Sequence, residues 1–82
     1  MHVARVRLFA ALREIAGTSL LQEDAGTVGE LIDRLSGRFG PQFSRIVAAG
    51  SVVVDGERSP RDRLLHPDDE VALLPPVSGG LE

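Results

Sequence analysis

The sequence predicts an α+β domain, a mixed sheet with one main helix packed across it. Three observations predict it. Val3 to Phe9 alternates apolar and polar residues with period two, Val28 to Phe39 repeats its apolar residues with helical period, and two further strand-like runs follow that helix. An amphipathic helix of this strength must bury its apolar face, and a sheet is the natural cover. At 82 residues the chain supports one such core and not two.

Taken in order, Ala4, Val6 and Leu8 share one strand face while Arg5, Arg7 and Phe9 share the other. Ala10 to Ala16 is rich in helix formers and stops at Gly17, a natural C-cap, so a short helical turn is expected there. Thr18 to Glu23, with Leu20 and Leu21, reads as a second, weaker strand ended by Asp24 to Gly26. Thr27-Val28-Gly29-Glu30 has the spacing of a capping box, in which hydroxyl and carboxylate each satisfy an N–H at the helix start. Val28, Leu31, Ile32, Leu35 and Phe39 then fall on one face, and Gly40-Pro41 ends the helix.

Gln42 to Gly50 is ambiguous, although Phe43, Ile46 and Val47 suit another helical turn. Ser51 to Val54 is a β-branched strand stopped by the tight-turn pair Asp55-Gly56. Ser59-Pro60 opens a loop, Leu64-Leu65 are expected to plug the core beneath it, and Pro67-Asp68-Asp69 turns into a last strand, Glu70 to Leu74. Pro75-Pro76 cannot continue a ladder. The predicted organisation is a domain over residues 1–74, a flexible functional tail over 75–80, and the pair 81–82.

Composition narrows function. All nine Lys+Arg residues are Arg, and with twelve Asp+Glu the net charge is −3, which supplies no basic face for nucleic acid. Without Cys there is no thiolate nucleophile, soft metal site or disulfide, and without Lys no Schiff-base amine. No run approaches the length of a membrane span, and the start, with Arg5 and Arg7 in its apolar stretch, is unlike a signal peptide, so a cytoplasmic protein is expected. Asp62, His66, Asp68, Asp69 and Glu70 match no calcium-loop spacing and have one histidine among them, so no metal site is read there.

The remaining chemistry lies at the end of the chain. Pro75 and Pro76 hold the exit from the sheet extended, and Gly79-Gly80 lack a Cβ that would obstruct a narrow channel. Phe9-Ala10-Ala11-Leu12-Arg13-Glu14-Ile15-Ala16-Gly17 at the start resembles the small subunit of molybdopterin synthase. So does Asp69-Glu70-Val71-Ala72-Leu73-Leu74-Pro75-Pro76-Val77-Ser78-Gly79-Gly80 at the end. The length, the Thr27-capped helix and the order of elements, that of the ubiquitin-like β-grasp fold, agree with the resemblance. The thiamine-pathway sulfur carrier is similar in plan but typically shorter, and lacks the segment resembling Phe9 to Gly17.

The resemblance implies a sulfur carrier rather than an enzyme in its own right. An ATP-dependent activating enzyme would adenylate the Gly80 carboxylate, and a sulfur donor would convert it to a thiocarboxylate. The tail, with Gly79 before the reactive residue, would enter the large subunit of the synthase, in a heterotetramer, and give sulfur to a cyclic pterin phosphate. No cofactor is bound by the carrier; ATP is used by the activating enzyme. The family normally ends at the second glycine, whereas Leu81-Glu82 follow here. They look like a cloning scar before a purification tag, the alternative being a precursor trimmed by a protease. Carriers of other pathways (thiamine, cysteine, tRNA thiolation) and ubiquitin-like modifiers share the same tail logic.

Strand parity places a docking surface. Phe9, Leu74, Pro75, Pro76 and Val77 are the expected partner-binding residues. If Ala4, Val6 and Leu8 face the helix, Phe9 faces away, and if Val71 and Leu73 face it, Ala72 and Leu74 face away. In the β-grasp arrangement the first and last strands are parallel neighbours, so Phe9 and Leu74 meet where the tail leaves. Arg5 and Arg7 on that face either pair with an acidic partner or are solvated.

Overall fold

Alternation, capping and turn chemistry each produce the element they predict. A computed structural model of the chain describes residues 3–76. The elements are β1 (Val3–Leu8), α1 (Ala10–Ala16), β2 (Leu20–Asp24), α2 (Val28–Phe39), α3 (Pro41–Ala49), β3 (Ser51–Val54), β4 (Glu57–Arg58) and β5 (Glu70–Leu74). They form one mixed sheet in the order β2-β1-β5-β3-β4. β1 runs parallel to β5, and every other pairing is antiparallel.

The period-two pattern buries one face of the sheet. Ala4, Val6, Leu8, Val71, Leu73 and Val54 are at most 2% exposed, and they meet Val28, Leu31 and Leu35 of α2. Phe43, fully buried, is the one aromatic ring in an otherwise aliphatic core.

α2 begins as its cap predicts, with one difference. The Glu30 N–H donates to Thr27 Oγ1 at 3.1 Å, but the Glu30 carboxylate reaches past Thr27 and accepts from the Gly26 N–H at 2.6 Å. The returning loop satisfies the other open donors: Val28 N–H donates to Arg63 O and Gly29 N–H to Arg61 O, at 3.0 and 2.8 Å. All three first-turn amides of α2 are thus paired.

Three expectations change. The ambiguous stretch is a complete helix, α3, with Pro41 at its first turn; the proline that ends α2 also starts α3, because its missing N–H costs nothing at a helix N-terminus. α2, the main helix, and α3 therefore pack against one another. A fifth strand, β4, is added because Asp55 and Gly56, at φ 49° and 88°, turn the chain back on itself, pairing Val54 with Glu57. The pair Leu64-Leu65 divides: Leu65 is buried, while Leu64 is 64% exposed, its backbone bridging to Thr27.

Leu35, fully buried on α2, is expected to lose about 2–5 kcal/mol of folding stability as Leu35→Ala, measured by urea unfolding. A loss under about 0.5 kcal/mol would place it on the surface. The Gly26 N–H, and secondarily Arg34, hold the Glu30 carboxyl below its usual 4.5. A carboxyl lowered in the folded state stabilises the fold above its unfolded pKa, and that contribution is lost as pH falls through the folded value. Glu30→Gln should therefore flatten the decline of melting temperature below pH 4.5, and an unchanged acid limb would refute the role.

Candidate functional site

The outward face of the sheet carries the residues that parity predicted. β1 and β5 pair Arg7 with Ala72 and Leu8 with Leu73, so one further step brings Phe9 beside Leu74. Phe9 is 41% exposed, and Leu74, Ala72 and Pro75 are half-buried while Pro76 is exposed. The structure therefore brings Phe9, Leu74, Pro75 and Pro76 together at one end of the sheet. Val77, Gly79 and Gly80, together with Leu81 and Glu82, lie outside the described residues.

A sharp backbone turn holds Phe9 in place. Phe9 is the extended residue before α1, and its carbonyl accepts from the Leu12 N–H at 3.1 Å. Ala10, expected as an ordinary helix former, enters the helix at φ 51°, which costs an L residue about 1–2 kcal/mol. Fully buried Leu12 anchors the turn, so the strand-to-helix corner leaves the Phe9 ring outside. At the other end of α1, Gly17 caps as predicted, its N–H donating to Arg13 O at 2.9 Å.

Sequence reasoning missed three contributors. Val53 pairs with Ala72 and Leu20 with Arg7, so both share the outward face and widen the apolar patch; Leu20 is 48% exposed. Alternation within each strand contains this parity, but which strands are neighbours is a tertiary fact. The third is Gly50, against whose backbone Leu74 and Pro75 pack.

Charges on the face are partly committed within the chain. Arg7 is bound to Glu70, an exposed pair of small energetic weight, and Arg58 donates to Ser51 Oγ at 3.1 Å. Of the two arginines expected to be solvated or to meet a partner, Arg7 is therefore already paired in the chain. The acidic stretch after Leu65 serves the last turn. Asp69 accepts from the His66 N–H at 2.8 Å, its own N–H donates to His66 O at 3.1 Å, and Asp68 sits at φ 70° behind Pro67. This is a type II arrangement that Asp tolerates better than most residues. Among the described residues no three His, Cys, Asp or Glu side chains could share a metal ion, and no helix is long and apolar enough to cross a membrane.

A family model described as the ThiS family matches residues 6–80. The chain belongs to the ThiS family. It is 34% identical to small archaeal modifier protein 1 of Haloferax volcanii, over 90% of this chain and 97% of that protein. It is 33% identical to the molybdopterin synthase sulfur carrier subunit of Dictyostelium discoideum, over 93% of this chain and 94% of that one. Among solved structures, small archaeal modifier protein 1 of Methanosarcina acetivorans superimposes with a TM-score of 0.85 at 28% identity, covering 98% of both chains. This ThiS-family chain is thus a ubiquitin-like β-grasp protein of the sulfur-carrier and modifier type, as its resemblance implied.

Because the Phe9 ring stands outside the core, Phe9→Glu in this ThiS-family protein should shift stability by no more than about 0.5 kcal/mol in thermal unfolding. A loss above about 2 kcal/mol would mean that the ring belongs to the core.

Proposed function

We propose that this chain is the sulfur carrier of molybdopterin synthesis, acting in the cytoplasm through the carboxyl group of Gly80. The observation that carries the reading is the parallel pairing of β1 with β5. It sets the exit of the chain, at Pro75-Pro76, directly beside the outward apolar residues Phe9, Ala72 and Leu74. A docking face adjoining a stiffened exit lets a partner grip the body and receive the end. The resemblance of Phe9 to Gly17 and of the Pro75 to Gly80 ending, and the likeness to the Dictyostelium carrier subunit, support this pathway.

The chemistry follows from the functional groups. A carboxylate is a poor electrophile at neutral pH, so an activating enzyme joins it to the α-phosphate of ATP with loss of pyrophosphate. A sulfur nucleophile then displaces AMP and leaves a thiocarboxylate. The carrier contributes sulfur and positioning, while the catalytic groups belong to the large subunit that docks on the Phe9 face. The chain itself binds no cofactor, and Gly79 follows Gly80 into the channel. A second reading, a modifier joined to target amines through the same carboxyl, is favoured by the 34% identity to the archaeal modifier. The two share activation and part at the acceptor, sulfur in one and an amine in the other.

The decisive comparison uses chains ending at Gly79, Gly80 and Glu82, each incubated with an activating enzyme, ATP and a sulfide source, and weighed intact. Only the chain ending at Gly80 should gain the mass of one oxygen replaced by sulfur. At Glu82 the Gly80 carbonyl is an amide, and the Leu81 side chain would block a channel shaped for glycine. Efficient thiocarboxylation of the chain ending at Glu82, with no protease present, would overturn the assignment of Gly80. Amide conjugates in place of a thiocarboxylate would favour the modifier. Phe9→Glu should weaken binding to the large subunit with circular dichroism unchanged.

A further inference from the structure

We propose that Gly50 is a positioning residue for the exit of the chain at Pro75-Pro76, whose direction depends on the absence of a side chain at position 50. The inference rests on the carrier reading above. Gly50 links α3 to β3, its N–H donating to Val47 O at 3.1 Å. Its φ of −99° lies outside the left-handed region that favours glycine, and what the position demands is space. A Cβ at this position would lie 1.9 Å from Leu74 O and 3.0 Å from the carbonyl carbons of Leu74 and Pro75. The obstacle is backbone, which cannot swing aside as a side-chain tip can.

Two of the three parts that meet there are anchored. α3 is held by Phe43 and Val47, 0% and 5% exposed. β5 is held by Leu73, fully buried and paired with Leu8 on one side and Val52 on the other. Leu74 is itself paired with Ser51, so the carbonyl that a methyl group would meet is the last rung of the β3–β5 ladder, and what can yield is that terminal rung with the chain through Pro75 and Pro76. A methyl group at position 50 would therefore re-aim the exit rather than reopen the core. Placing a reacting group about 1 Å off its productive position costs on the order of a hundredfold in rate.

The test compares chains ending at Gly80: the parent, Gly50→Ala, and the double variant Gly50→Ala/Pro75→Gly, whose freed exit can detour around the methyl group. Adenylation is followed as ATP–pyrophosphate exchange with the activating enzyme. The path of the exit is followed separately by nuclear Overhauser contacts between residue 50 and Pro75. Gly50→Ala should lower kcat about a hundredfold with KM changed less than about threefold, and lose those contacts while the Leu12 and Leu31 methyl signals stay in place. The double variant should recover about tenfold of the lost rate, because its turn at residue 75 is no longer fixed by the proline ring. Parent-like kcat, a raised KM at unchanged kcat, or a double variant no better than the single one would overturn the proposal. If Gly50→Ala does not fold, the double variant decides. Recovery of folding places the clash at the exit, and continued unfolding places it in the core and overturns the proposal. Absence of exchange in the parent would sink the carrier reading instead, and the contact measurement would still decide whether position 50 directs the exit.

Discussion

The parallel pairing of β1 with β5 is the constraint on which the rest of the molecule depends. These are the first and last strands, and Leu8 and Leu73, opposite one another at the centre of the sheet, are both buried. A register slip of a single residue would expose Leu73 and bury Leu74, reversing every side chain on the strand. Hydrophobic burial therefore fixes more than stability. It decides that the chain leaves the sheet next to the corner where it first turned, so that Phe9 lies beside Leu74 although 65 positions of sequence (74 − 9) separate them.

Around that pairing, the interior and the surface are chemically distinct. The buried residues are hydrophobic, and no charged or polar residue is buried among those described. The ion pairs of Arg7, Arg34 and Arg61 lie at the surface and are of small weight individually. Order at the start of α2 comes instead from backbone donors that the loop of Arg61 to Arg63 satisfies, which ties the connection between β4 and β5 to the helix. β5 is thus supported at both ends, by Asp55 receiving the Glu70 N–H and by Gly50 lying against Leu74. Under the proposed function, a partner would grip this body while the end of the chain reacts elsewhere.

Much of this was legible in the sequence because it depends on local periodicity. The alternation of Val3 to Phe9 determined which residues of β1 are buried, the spacing of Val28, Leu31 and Leu35 determined the face of α2, and Thr27 with Glu30 marked where the helix begins. The start of α3 was hidden because Pro41 reads equally as the end of one helix and the first turn of the next. β4 was hidden because Glu57-Arg58 has no strand signal of its own and is placed by the turn before it. The backbone of Ala10 departs from its propensity because buried Leu12 decides where the corner must go.

The sequence by itself determined β1, α2 and β5 with their buried faces, and the Pro75-Pro76 stop that ends the sheet, since each of these is a property of neighbours along the chain. Tertiary structure alone decided that Val53 and Leu20 join the outward face, that Arg7 is bound to Glu70, and that Gly50 leaves room for the Leu74 carbonyl. Those facts depend on which strands lie side by side and how closely two backbones approach. No local pattern encodes that distance; the packing of the core sets it.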